Sequence, residues 1–343
     1  MNKKILITLG ALLIISSTAC NNPNGLSLET SSDIVSNSSE NNSISENNST
    51  INSENDSSLN SESETTKEVS LIAPSGTPLL AMSKYIHENS YVNYTFAKGA
   101  DPLTAAFSSK SHDIIVAPIN LGANFYNKTG NYVLFETIVW GNLYVVSRNP
   151  ISSFNELDKK EITIFGTNQT PDIIMKTLAA ENEIEYTKNL VADVEVANEE
   201  FLGGHCEYAV SAEPNLSVLK QKVDNLYVLD LQDEWQKITG SSSYPQASVF
   251  VNKDKVEELQ GELDKIETSI NTILDDIDYS TSCAMQTQLK GLGEEAIKSA
   301  LPNSHIGIEE NQKDAIEFYF NKLFDLGLGK TFGEKLPDEN FYL

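Results

Sequence analysis

Five dipeptides in this chain put a proline where a helix would begin: Thr77-Pro78, Asp101-Pro102, Ala117-Pro118, Thr170-Pro171 and Glu213-Pro214. Proline in a first helical turn sacrifices no hydrogen bond, and the neighbouring N–H groups stay unpaired at the positive end of the helix dipole. Such groups orient polar or anionic small molecules. Four of the five, all but Asp101-Pro102, follow soon after a stretch read as strand. Each proline taken singly is only a helix starter. Recurrence in both halves of the chain points to one shared cleft at the carboxyl edge of a sheet. Groups suited to catalysis are sparse. His87, His112, His205 and His305 stand apart, with no motif supplying a nucleophile, a base and an orienting group together. His205-Cys206-Glu207 is consecutive, and three neighbours in a row cannot converge on one metal. The reading is a binding protein rather than an enzyme, with no resident metal or cofactor. Arg148 is the only arginine, so a sulfonate or carboxylate ligand would lack a bidentate clamp.

The elements that must position these groups alternate between strand and helix. Residues 69–73 read as a strand, Pro74-Ser75-Gly76 as a turn, Thr77 as an N-cap and residues 79–87 as helix. Residues 91–97 form a second strand, Asp101-Pro102 opens a helix through Phe107, and residues 113–117 are a continuously apolar third strand covered on both faces. Residues 132–146 are β-rich. A second series follows: strand 161–165, a helix from Thr170-Pro171 to Asn182, strand 207–211, a helix after Glu213-Pro214, strand 225–229 and β-structure at 247–252. Everything after Lys253 reads as helix. The β-stretches at 132–148 and 245–252 bracket the second series, so the chain leaves one lobe and later returns to it. The expected organisation is lobe one from 68–148 and 249–343, lobe two from 149–248, and a cleft between them.

Composition and the amino terminus set the compartment. The 343 residues carry 24 Lys+Arg against 49 Asp+Glu, net −25, and residues 68–343 alone carry 21 bases and 41 acids. So acidic a body repels phosphate backbones, which excludes nucleic acid, and it offers no polybasic membrane patch. Lys3 and Lys4 precede an apolar run too short to span a bilayer, and small residues lead into Cys20. Residues 1–19 therefore read as a signal peptide, and the small residues before Cys20 resemble the bacterial lipobox, whose cysteine is acylated. An ordinary cleavable signal ahead of a chance cysteine is the alternative. Residues 20–67 are a tether: 25 of the 47 residues from 21 to 67 are Ser or Asn and none is aromatic, so burial cannot offset chain entropy. A Ser-rich adhesive stalk has the same composition. The expected location is the extracytoplasmic face of the cell membrane, lipid-anchored through Cys20.

From 68 to 343 the chain resembles the type II solute-binding proteins of ABC importers, closest to the nitrate/taurine/sulfonate and thiamine-pyrimidine (SsuA/THI5-like) group. The residues that carry this are 73–78 (APSGTP), 113–120 (DIIVAPIN), Trp140-Gly141-Asn142, 166–172 (GTNQTPD), Ala212-Glu213-Pro214, Pro245-Gln246-Ala247 and 335–342 (KLPDENFY), in that order. The resemblance implies an α/β fold of two lobes, each a mostly parallel sheet with flanking helices, joined by two crossover strands at a hinge. It implies a monomer that closes on a small solute and delivers it to a membrane permease.

By matching positions, Ser75, Gly76 and Thr77 form one wall, and Asn120, Trp140, Gly141 and Asn142 line the floor of lobe one. Asn168, Gln169 and Thr170 face them, with Glu213 and Tyr244 nearby. Trp140 and Tyr244 suit stacking on a flat ring, although Trp140 suits core packing under the sheet edge equally well. Glu213 would repel an anion and pair with an amino group or ring N–H, which favours a heterocycle. Trp235 reads as packing. Cys206 and Cys283 fall in different lobes and are expected as free, largely buried thiols. Two amphipathic faces, Val256, Leu259, Leu263, Ile266, Ile270, Ile273, Leu274 and then Ala315, Ile316, Phe318, Tyr319, Leu323, Phe324, should pack on lobe one. A ligand-sensing or adhesion lipoprotein, or an enzyme on the same scaffold, are the competing readings.

Overall fold

The structure is a computed structural model that describes residues 68–343. The signal segment, Cys20 and the tether lie outside the described residues. In chain order the first half contains β1 (Val69–Pro74), α1 (Thr77–Glu88), β2 (Val92–Ala97), α2 (Asp101–Ser109), β3 (Ile114–Pro118), α3 (Ile119–Thr129) and β4 (Tyr132–Trp140). The second series contains β5 (Tyr144–Ser147), β6 (Glu161–Phe165), α4 (Thr170–Glu181), β7 (Thr187–Val191), α5 (Val194–Leu202), β8 (Tyr208–Ser211), α6 (Asn215–Lys222), β9 (Tyr227–Asp230) and α7 (Leu231–Thr239). β10 (Pro245–Asn252) and four helices complete the chain: α8 (Val256–Asn271), α9 (Ile277–Ala284), α10 (Glu294–Ala300) and α11 (Gln312–Asp325).

Two five-stranded sheets result, ordered β2-β1-β3-β10-β4 and β7-β6-β8-β5-β9. They repeat one plan. In the first, β1 runs parallel to β2 and β3, and β10 is antiparallel to β3 and β4. In the second, β6 runs parallel to β7 and β8, and β5 is antiparallel to β8 and β9. The fourth strand of each sheet is the one delivered by a crossing segment, residues 141–143 for β5 and 240–244 for β10. The stretch read as continuous β from 132 to 146 is therefore divided. Gly141 and Asn142 both take positive φ, 75° and 67°, which turns the chain out of the first sheet. The sheet boundary falls here, so residues 144–147 belong to the second sheet rather than to lobe one, and β10 returns at 245, a few residues before the expected 249.

Period-two alternation sorts the first sheet into two apolar layers. Ile72, Ile115, Ala117, Leu134 and Phe250 pack to one side, while Leu71, Ala73, Ile114, Val116, Val249 and Val251 pack to the other with Leu79, Leu263 and Ile266. All of β3 is buried, in keeping with its unbroken apolar run. α3 lies so close to this sheet that a Cβ on Gly122 would sit 2.0 Å from Phe250 Cζ. The α8 face is buried at Leu259, Leu263, Ile266 and Ile270, but Leu274 is exposed. On α11 the buried face is Ile316, Tyr319, Phe320 and Leu323; Phe318 and Phe324 are exposed. α11 also does not stay with the first sheet. The Tyr319 ring lies 6.0 Å from that of Trp235 on α7, and Lys322 pairs with Glu181 of α4 at 2.7 Å. β7 and α5 were not anticipated, because β7 is an edge strand exposed along nearly its whole length and lacks an apolar signature. Cys206 is half-buried, Cys283 is buried, and both are free.

One polar group on the first sheet makes stability depend on pH. Glu136 of β4 has an enclosed Oε2 without a hydrogen-bond partner. Burial, and then the charge of Glu267, push its carboxyl up from 4.5 to about 7. A raised acid pKa means that the folded state holds the proton more tightly. This group's contribution is complete below pH 4.5 and is lost as pH rises to about 7. Denaturant unfolding at pH 5 and pH 8 should show Glu136→Gln losing less stability across that interval than the unmutated chain, by on the order of 1–3 kcal/mol. Equal slopes would refute the assignment.

Candidate functional site

The strand ends that carry the proline turns meet between the two sheets. β1 ends at Pro74; Gly76, at φ 85° and ψ −145°, occupies backbone space open to glycine and lets α1 begin at once. Gly76, not Thr77, is the cap, which frees the Thr77 hydroxyl to leave its own helix. β6 ends at Phe165, Gly166 and Asn168 take positive φ, and extended Gln169 leads into α4. The Pro78, Pro102 and Pro171 residues sit in first turns, whereas Pro118 and Pro214 occupy the cap positions of α3 and α6.

These segments line a cleft with about 80 Å³ of free space, partly open to solvent. The first sheet contributes residues 74–78, Pro118, Gln246 and Ala247; the second contributes Phe165, residues 169–171, Val194, Ala212 and Glu213. The lining is built from helix starts and strand ends, so the first-turn N–H groups of Thr77 and Thr170, which have no intrahelical carbonyl to meet, lie at its wall.

The two halves are clasped reciprocally. Thr77 Oγ1 donates to the Glu213 carbonyl, and Thr170 Oγ1 donates to the Gln246 carbonyl at 3.3 Å. Each is a threonine from the first turn of one half, bonded to backbone of the other. Asn142, fully buried in the crossing segment, completes the first contact: its Nδ2 donates to Thr77 Oγ1 and its Oδ1 accepts from the Glu213 N–H at 3.0 Å. Asn120 Nδ2 donates to the Asn168 carbonyl at 3.1 Å and the Thr331 carbonyl at 3.3 Å. Lys98 and Glu195 pair across the halves at 2.8 Å.

Behind the α4 turn lies Asp172, whose side chain is fully buried. It accepts from the Asn168 N–H at 2.9 Å and pairs with Lys176 at 2.7 Å and Lys188 at 3.2 Å. Burial alone would raise its pKa; the bonds from Lys176 and the Asn168 N–H and the pairing with Lys188 prevail and hold it below the ordinary 3.8.

Of the residues expected at the site, Ser75, Gly76, Thr77, Gln169, Thr170 and Glu213 line the cavity. Asn142 stands behind the wall, holding Thr77 to Glu213, and Gly141 is buried where an added Cβ would meet Gln232 Cγ at 2.4 Å. Asn120 and Asn168 join the halves to one side. Trp140 and Tyr244 are corrected: both are buried away from the cavity. Tyr244 donates to Gln232 Oε1 at 2.7 Å and packs 5.4 Å from Trp235, because the crossing segment runs through the core rather than over the surface. Stacking by these two rings is therefore withdrawn, and the ring at the cavity is Phe165. Glu213 is corrected in role. Its carboxylate turns into α6, accepting from the Ser217 N–H at 2.9 Å and pairing with Lys220 at 3.5 Å, and only its backbone serves the clasp. Arg148 donates to the Phe201 carbonyl at 3.0 Å at the end of α5, far from any ligand role. Phe165 and Gln246 were missed as wall residues; each is a strand-end residue, and position at the carboxyl edge was the available signal. Among the described residues no cluster of three His, Cys, Asp or Glu is placed to hold a metal, and no helix is long and apolar enough to cross a membrane.

Two mostly parallel sheets with a cavity at their facing edges and two crossing segments define the two-lobed type II periplasmic-binding-protein fold. No family model matches the sequence, and no curated protein matches it. Solved structures do match. A Parabacteroides distasonis ABC transporter structure superposes with a TM-score of 0.67 at 20% identity, over 80% of this chain and 98% of that one. The periplasmic aliphatic sulphonate binding protein SsuA of Escherichia coli gives 0.58 at 14%, over 80% and 91%. The alkanesulfonate-binding protein SsuA of Xanthomonas axonopodis pv. citri, bound to MOPS, gives 0.56 at 12%, over 79% and 94%. The likeness is one of fold.

Proposed function

We propose that this chain is the extracytoplasmic solute-binding component of an ABC importer. It is a monomer tethered to the membrane through acylated Cys20, and it captures a small polar or heterocyclic solute between its lobes and hands it to a permease. The observation that carries this reading is the cavity at the facing strand ends, walled by both lobes, between which the described chain crosses at 141–143 and 240–244. Binding is favoured over catalysis because the cavity wall contains no histidine or cysteine, and its one carboxylate is already paired.

Thermal-shift screening of the protein against pyrimidines, thiamine and its precursors, riboflavin, taurine, alkanesulfonates, nitrate, amino acids and nucleosides tests the reading. A solute at 100 times its Kd adds about 2.7 kcal/mol, several degrees in Tm. Small-angle scattering with that solute should show a smaller radius of gyration as the lobes close. A radius unchanged at saturation would sink the closing motion, and silence across the library would count against solute capture.

A further inference from the structure

The crossing segments join the two sheets at one end of their strand orders. They attach at β4 and β10 in the first sheet, and at β5 and, through α7, β9 in the second, so β2 and β7 are the edge strands farthest from them. Lys98 directly follows β2, and Glu195 lies in the first turn of α5, just after β7. Their side chains meet at 2.8 Å. On either side of this pair the lobes stand apart. One groove, with about 460 Å³ of free space, runs between Phe96 and Leu289 of the first lobe and Asn198 and Leu202 of the second. Another, of about 270 Å³, separates Ala100 and Asp101 from Gly166 and Thr167. Thr77 and Thr170 instead bond beside the crossing segments, at Asn142 and Gln246, and Asn120 bonds from the end of the middle strand β3.

A rotation about the crossing segments moves the far edges most, and Lys98 and Glu195 sit there. Resting on the closing motion of the solute-capture reading above, we propose that this pair is an ionic latch at the lip of the cleft, formed as the lobes close and broken as they part. The two side chains are 58% and 32% exposed, so each charge returns to water at little cost when the pair breaks. A latch so exposed is weak and is loosened by salt, which lets the lip open without disturbing the packing of either lobe. Asp193, at the start of the same helix, and Glu199, one turn further along it, add negative charge around Lys98. The Lys98 ammonium is therefore drawn to the second lobe by three carboxylates, and a carboxylate at the same position would be repelled by all three.

A carbodiimide joins an amine to a carboxylate only where the two touch, with loss of water. Applied to the full chain without added solute, it should link Lys98 to Glu195, and also Lys159 to Glu185, an exposed pair at 2.6 Å within the second lobe. Peptide mapping that finds only the second link overturns the latch. Hydrogen–deuterium exchange of the cleft segments 74–78, 169–171 and 246–247 then reads opening. Lys98→Glu should speed it by about threefold or more with helix α8 unchanged. Combining Lys98→Glu with Glu195→Lys restores the pair and should return the rate to within about twofold of the parent. Raising salt from about 0.02 M to about 0.5 M should speed the parent and leave Lys98→Met unaffected. Neither side chain is buried, so folding is not at stake in these variants. Unchanged exchange in Lys98→Glu, or faster exchange that the charge swap does not reverse, overturns the latch. Solute capture is judged separately: a solute that binds while the swap fails to rescue leaves capture standing, and a rescued latch in a chain that binds no solute counts against capture alone.

Discussion

Asp172→Ala is expected to destabilise the protein by about 2–4 kcal/mol. The carboxylate is fully buried and bonded on three sides, by the Asn168 N–H, Lys176 and Lys188. Removing it orphans the Asn168 N–H in the turn that aims Gln169 and Thr170 at the cavity. The cost stays below that of a wholly enclosed ion pair, because the Lys176 and Lys188 side chains are 28% and 36% exposed and can turn to water. Denaturant unfolding at neutral pH measures it. The depressed carboxyl predicts a second signature. A lowered folded-state pKa gives stability that is present above the ordinary 3.8 and lost as pH falls through the folded value. The variant should therefore show a flatter loss of stability at acid pH than the parent. A change under about 1 kcal/mol with an unaltered acid limb would show that the triad is solvated in solution.

The second large effect is expected at Asn142. Alanine there removes the Asn142 bonds to Thr77 Oγ1 and to the Glu213 N–H, leaves that N–H enclosed without a partner, and puts alanine at φ 67°, where asparagine is better tolerated. The combined loss is about 2–4 kcal/mol. Asn142→Gly separates the causes: it keeps the hydrogen-bond loss and relieves the backbone, so it should recover about 1 kcal/mol. Amide exchange at Glu213 reports the clasp itself, and should speed up by at least about tenfold in both variants. If both variants unfold within about 0.5 kcal/mol of the parent with Glu213 still protected, the clasp is not what joins the halves.

Much of this arrangement is written in local chemistry. The unbroken apolar run at 113–117, the strand-turn-proline sequences at 73–78 and 165–171, and the return of β-structure at 245–252 each state a local preference that the fold obeys. Residues at the start of a helix that directly follows a strand, such as Thr77 and Thr170, reach the cavity because the carboxyl edge of a parallel sheet leaves them nowhere else to go. β7 was illegible because an edge strand of a sheet needs no apolar alternation when one neighbour and water satisfy it.

Aromatic residues show where local reading stops. Trp140 and Tyr244 flank Gly141 and a serine run, which resembles exposed loop, yet both are buried. Tyr244 sits against Trp235, and Trp235 against Tyr319 of α11, 84 residues further on. No window of sequence contains that contact. The Glu213 carboxylate was likewise undecided until α6 presented the Ser217 N–H and Lys220 to it. The sequence by itself determined the acidic body, the α/β order and which turns begin helices, because these follow from short-range sterics, capping and hydropathy. Tertiary structure alone decided which residues line the cavity and where one lobe ends, because each depends on the crossing of segments far apart in the chain.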